Sequence, residues 1–183
     1  MMYNKYRMKG EIMNKKDILS YIIIIVTVVL IRTFIVTIVK VDGTSMYPTL
    51  NDNDLLILKK YDKKIERFDI VVIKYQKSKL VKRVIGLPGE TIKITTTRVG
   101  SNTVSNIYIN GEKLEENYGY EPISNAGLAS EEITLGSDEY FVIGDNRNNS
   151  SDSRVIGPIK SKNIVGVTKL RIFPINKIGK IDK

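Results

Sequence analysis

The chain of 183 residues contains no histidine and no cysteine. Without imidazole, a Ser-His-Asp triad is excluded, and the usual histidine-containing zinc sites go with it. Without thiols there is no disulfide, no thiolate metal site and no cysteine nucleophile. No calcium loop is visible either. Asp145-Asn146-Arg147-Asn148-Asn149-Ser150 puts Arg147 where a ligand should sit and lacks the turn glycine. No metal and no other cofactor is therefore expected. No alanine occurs before Ala126, so the small-x-small cleavage site of a removable leader is missing from the N-terminal region. Internal repeats are absent, and so is any ten-residue amphipathic pattern after residue 40.

What the chain does have is charge, at +9, which points to nucleic acid or to an anionic membrane. The distribution favours the membrane. Lys5, Arg7, Lys9, Lys15 and Lys16, against Glu11 and Asp17, precede a run that is nearly all apolar. No arginine stripe with interleaved aromatics exists, so nucleic acid is not expected as a partner. The run spans residues 18–39, and as a helix it would cover roughly 33 Å, close to the ~30 Å of a bilayer core. Ile22 to Ile31 is apolar on every face apart from Thr27, unlike a core helix. Arg32, the one charge, lies in the last third, where its stem can carry the guanidinium toward the headgroups. The run is also longer than the ~7–15 apolar residues of a signal peptide. The expected organisation is a basic cytoplasmic tail over 1–17, a single transmembrane helix over 18–39 and an extracytoplasmic domain over 40–183.

After the run the periodicity becomes strand-like. Leu55–Leu58, Phe68–Tyr75, Leu80–Ile85, Glu139–Ile143 and Ile164–Val167 are short and rich in β-branched residues. Ile107-Tyr108-Ile109 and Lys113-Leu114 flank Asn110-Gly111, a two-residue hairpin signal. The fold class is mostly β, an antiparallel sheet domain preceded by one helix. Residues 95–132 read as a loop-rich insertion, with polar stretches at 95–106 and 115–132.

Three blocks carry chemistry. Ser45 lies in Asp42-Gly43-Thr44-Ser45-Met46-Tyr47-Pro48-Thr49-Leu50. Lys82 lies in Lys82-Arg83-Val84-Ile85-Gly86-Leu87-Pro88-Gly89-Glu90, on a strand whose face it shares with Leu80 and Val84. The third block, Gly144 to Arg154, is dense in short polar side chains. A serine hydroxyl needs a base beside it, and a desolvated lysine is the strong base left to this composition. Singly, each block has an ordinary reading: a glycine turn, a strand lysine that snorkels to solvent, a loop bonded to its own backbone.

In this order, behind an apolar run, the blocks Gly-x-Ser-Met-x-Pro-Thr-Leu, Lys-Arg-Val-Ile-Gly-x-Pro-Gly-Glu and Gly-Asp-Asn-(x)5-Asp-Ser-Arg resemble the type I bacterial signal peptidases. Those are membrane-bound Ser/Lys proteases that remove signal peptides from exported proteins. The likeness runs from about residue 18 to 175 and is to the Gram-positive-type, single-anchor members. It implies that Ser45 is the nucleophile, that Lys82 is the general base and that Ser150 orients the lysine amine. Asp152 and Arg154 are implied as an ion pair that shapes the site, with Gly144, Asp145 and Asn146 as the turn that positions the loop. Val41, Met46, Leu50 and Val81 are implied as the lining of small-residue pockets. The Ser45 backbone N–H is implied as one oxyanion donor. Gly43 replaces the hydroxyl that Gram-negative-type members carry two residues before the nucleophile, so the second donor is left open. The implied activity is endoproteolysis of preproteins after small-x-small, in the cytoplasmic membrane. Two alternatives stand beside it. Self-cleaving SOS-response repressors share the dyad but are soluble and carry a helix-turn-helix. An anchored β module would use Ser45 and Lys82 only as ordinary strand residues.

Overall fold

The computed structural model describes residues 14–34, 36–60 and 64–181, without the side chains of 31–34. Most of the expected basic tail and the Arg32 side chain lie outside the described residues. Helix α1 (Lys15–Phe34) leads into β1 (Val36–Lys40). Every described side chain of α1 is exposed. Among the described residues, no helix is long and apolar enough to cross a membrane.

The expected helical run over 18–39 is corrected at its end. Residues 36–39 belong to a strand, paired with Lys59 through Leu56. Val36, Thr37, Ile38 and Val39 are all β-branched, which stiffens χ1 and suits a pleated surface. The sheet domain therefore begins at 36 rather than 40.

The remaining elements are β2 (Leu55–Lys59), β3 (Ile70–Tyr75), β4 (Ser78–Gly86), β5 (Thr91–Val99), β6 (Asn102–Ile109), β7 (Glu112–Lys113), β8 (Ile133–Thr134), β9 (Glu139–Ile143), helix α2 (Ser153–Ile156), β10 (Ile159–Lys160), β11 (Ile164–Phe173) and β12 (Gly179–Lys180). The larger sheet has the order β1-β2-β11-β3-β4-β9-β10, with β12 on β11, and the smaller has the order β7-β6-β5-β8. All pairings are antiparallel, as the short β-branched runs predict.

Strand β3 shows how the larger sheet is held. Ile70 and Val72 join Val39, Val41, Met46, Leu50, Leu56, Leu58 and Val81 on one face. Val71 and Ile73 join Val84, Val142, Ile159 and Val167 on the other. Period-2 alternation thus feeds two apolar layers from one strand. A third cluster, from Ile85 through Ile92, Ile107 and Phe141, packs the smaller sheet onto the end of the larger.

A second refinement concerns residues 95–106, expected as a polar surface loop or part of an inserted subdomain. They form the outer half of the β5–β6 hairpin, paired from Thr95↔Asn106 to Val99↔Asn102. Thr95, Thr96 and Thr97 are polar but β-branched, so they satisfy strand sterics on a sheet with an exposed face. Residues 115–132 are irregular apart from a short 3-10 turn at Gly127–Ser130, as expected.

Candidate active site

Register brings the three sequence blocks together. On β4, Arg83 pairs with Ile143, the last residue of β9. Lys82 therefore stands beside the point where the chain leaves β9 as the Gly144–Arg154 loop. Ser45 arrives from the other side, in the turn that follows β1. Val41 N–H donates to Asp54 O at 2.8 Å and Asn53 N–H to Val41 O at 3.0 Å, closing the base of that turn. Gly43 takes φ +89°, a left-handed conformation that suits glycine.

The loop then clamps the turn. Asn146 N–H donates to Ser45 O at 3.0 Å, and Asn146 Nδ2 donates to Thr44 O at 3.1 Å. Asn149 Nδ2 adds a bond to Thr44 Oγ1 at 3.0 Å. Gly144 is the point of closest approach. A Cβ there would lie 2.3 Å from Ser150 Oγ and 2.4 Å from Ser45 O.

At the centre, Lys82 Nζ is 2.6 Å from Ser45 Oγ and donates to Val81 O at 3.0 Å. Lys82 is only 2 % exposed, so the snorkelling alternative does not hold. Burial pulls its pKa down to about 8; Asp152 opposes this, Arg154 adds to it, and Asp145 opposes it. An amine so placed is neutral in a useful fraction of molecules near pH 8. It can then take the proton of a hydroxyl in hydrogen-bond contact with it.

Asp152 and Arg154 form a buried two-point pair, with Nε–Oδ1 and Nη2–Oδ2 both 2.8 Å. Asp152 also caps α2 through Arg154 N–H at 3.2 Å and accepts Gly144 N–H at 3.0 Å. Burial would raise the Asp152 pKa. The Arg154 bonds and charge, the Gly144 N–H and the nearby Ser150 hydroxyl outweigh it and hold the carboxyl below its ordinary value. This pair was anticipated and is present.

The expected contact between Ser150 and the lysine amine is not made. Ser150 Oγ is buried without a well-formed hydrogen bond, while Nζ is engaged by Ser45 and Val81. The hydroxyl lies against Gly144 instead.

Asp145 does more than shape a turn. Its carboxylate takes Arg83 Nε at 2.9 Å and Nη2 at 2.8 Å, and Thr49 Oγ1 donates to it as well. Arg83 is fully buried and also donates to Phe68 O at 3.0 Å, with the Tyr118 ring 3.7 Å from its guanidinium carbon. Sequence reasoning gave Arg83 no role. The available signal was a cation inside an apolar strand, which requires a buried acid.

A cleft of about 230 Å3 opens beside Ser45 and Lys82. Its walls are Ile38–Asp42 of β1 and the turn, facing Lys79–Lys82 of β4. Val41 and Val81 line it, as expected. Met46 and Leu50 do not; they are 1 % and 0 % exposed and belong to the apolar layer. Both sit in the turn from 44 to 50 and face the sheet, while Tyr47 and Pro48 of that turn are exposed. Ile38, Val39 and Leu80, unassigned from sequence, take their place. Gly43 N–H, one option for the open oxyanion donor, is instead bonded to Asp52 Oδ1 at 2.8 Å.

Comparison with known proteins gives a consistent picture. The family described as "Signal peptidase, peptidase S26" matches residues 15–173. A signal peptidase I of Bacillus amyloliquefaciens is 37% identical over 176 residues, covering 88% of this chain and 89% of its own. Signal peptidase I S of Bacillus subtilis is 35% identical over 193 residues, covering 94% and 99%. The crystal structure of a signal peptidase I from Enterococcus faecalis is 31% identical, covers 57% of this chain and 97% of its own, and superposes with a TM-score of 0.42.

Proposed function

The chain belongs to the peptidase S26 family of signal peptidases, and from that premise we propose that Ser45 and Lys82 form the catalytic dyad of a membrane-anchored signal peptidase I. The observation that carries this reading is the 2.6 Å contact between a serine hydroxyl and a buried, readily neutralised lysine amine.

In the proposed reaction, neutral Lys82 accepts the Ser45 proton as Oγ attacks the scissile carbonyl. The oxyanion is met by the Ser45 backbone N–H, which makes no hydrogen bond among the described residues. Lys82 returns its proton to the leaving amine. It then deprotonates the water that releases the acyl group. Asp152, Arg154, Arg83 and Asp145 are positioning residues: they hold the loop that clamps the Ser45 turn.

The substrates are preproteins, cleaved on the carboxyl side of a small residue. The cleft between β1 and β4 admits an extended segment as an added strand. Ile38, Val41, Leu80 and Val81 line this cleft, and their bulk would favour alanine-sized side chains over larger ones. The anchor reading rests on the sequence: an apolar run from Ile18, bases before it, and a catalytic domain placed outside the cytoplasmic membrane.

Cleavage of a model preprotein by the protein reconstituted in liposomes tests the proposal. Wild type is expected to yield the mature product, and Ser45→Ala none. A Ser45→Ala protein within tenfold of wild type would refute the dyad.

A further inference from the structure

Ser45 and Lys82 are among the residues that line the cleft between β1 and β4. A peptide with its scissile carbonyl at Ser45 Oγ extends to both sides of the serine. β1, which follows α1 in the chain, forms one wall of that cleft, so the cleft side takes the residues nearer the anchor, those of the signal peptide. The segment beyond the scissile bond must leave over the opposite surface.

That surface carries two exposed tyrosines. Tyr47 is 39% exposed and lies two residues after Ser45; Tyr120 is 55% exposed. Their rings meet edge to face, with centroids 5.0 Å apart and planes at 81°. The pair is fixed to the catalytic turn. Tyr120 N–H donates to Asp145 O at 2.9 Å, and the adjoining Asn146 N–H donates to Ser45 O at 3.0 Å. Tyr120 is thus two hydrogen bonds from the nucleophile's own carbonyl.

Behind Tyr120 a groove of about 410 Å3 runs past Asn117, Gly119, Glu121 and Pro122. Arg147 forms part of its floor. Its terminal nitrogens bind Glu116, with Nη2–Oε2 at 2.8 Å. Its Nε–H, buried, has no acceptor. Gly119 packs against its guanidinium: a Cβ there would lie 3.2 Å from Cζ and Nη1.

We propose that the Tyr47–Tyr120 pair and the groove behind it are the leaving-group subsite, the seat of the first residues of the mature protein. This rests on the Ser45–Lys82 reading. An apolar side chain of the departing segment packs on the two rings. The subsite holds the amine side of the scissile bond while Lys82 delivers its proton.

The test uses the full-length enzyme in detergent micelles and two peptides with the same residues before the scissile bond. One continues for six residues with leucine second; the other ends in a small chromogenic amide. The quantity is the ratio of kcat/KM for the long over the short peptide. Wild type should prefer the long peptide. Tyr120→Ala should lower the ratio about fivefold, Tyr120→Phe should keep it, and Leu128→Ser, an exposed apolar control elsewhere, should leave it unchanged. A wild-type ratio near one, an unaltered ratio in Tyr120→Ala, or an equal loss in Leu128→Ser overturns the subsite. If Ser45→Ala still hydrolyses both peptides, it is the dyad reading that falls; failure of the subsite alone leaves Ser45→Ala inactive.

Discussion

Replacing Lys82 by methionine should stabilise the protein while ending its activity. Burial lowers the lysine pKa from 10.5 to about 8. At 1.36 kcal/mol per pH unit, keeping the ammonium in this site costs the fold about 3 kcal/mol at neutral pH. The sign follows from proton counts. Between pH 8 and 10.5 the unfolded chain holds more protons here than the folded one, so stability rises with pH through that window. The cost is fully present below about 8. Methionine has a similar length and no charge to desolvate. It loses the bonds to Ser45 Oγ and Val81 O, at ~1 kcal/mol each. The net expectation at pH 7 is a gain of about 1 kcal/mol. Urea unfolding of both proteins in detergent, at pH 7 and at pH 10.5, measures it. The methionine variant should be ahead at pH 7 and fall behind by about 2 kcal/mol at pH 10.5, where the folded amine is neutral and the unfolded one half so. A difference independent of pH would refute the argument, because it would mean that the lysine is not buried as a costly cation.

Gly144→Ala should reduce kcat at least about a hundredfold, since a methyl group at 2.4 Å from Ser45 O must displace the nucleophile turn; steady-state kinetics on a folded sample check this. Asp152→Asn should cost on the order of 3 kcal/mol by leaving Arg154 buried without its charge partner, visible as a lower Tm together with lower turnover. Unchanged stability with lost activity would instead make Asp152 a direct participant in the chemistry.

Much of the site was legible because the composition left so few options. The lack of histidine and cysteine narrowed the chemistry to a serine with a lysine, and the resemblance carried by the three blocks singled out Ser45 and Lys82, which the fold brings to 2.6 Å from each other. The antiparallel β class followed from short β-branched runs. What escaped had physical reasons. Val36–Val39 continue the apolar run without a break, so hydropathy alone does not show where helix yields to strand. Thr95–Thr97 look like loop by polarity but behave as strand by χ1. Met46 and Leu50 sit in the nucleophile turn, and nothing in their spacing says which face meets the cleft. Arg83 was hidden beside Lys82, since its meaning depends on Asp145, far along the chain. The Ser150 hydroxyl makes no hydrogen bond to the lysine, and side-chain orientation within a loop is not something a sequence encodes.

The central claim is that Lys82 works as a neutral base on Ser45. The dependence of kcat/KM on pH, measured for wild type and Lys82→Arg on one preprotein, addresses it most directly. Arginine keeps the positive charge but stays protonated. The account predicts a wild-type rate that climbs as pH rises through about 8, and a Lys82→Arg enzyme at least about a hundredfold slower with no such rise. A Lys82→Arg enzyme within tenfold of wild type, following the same pH profile, would contradict it.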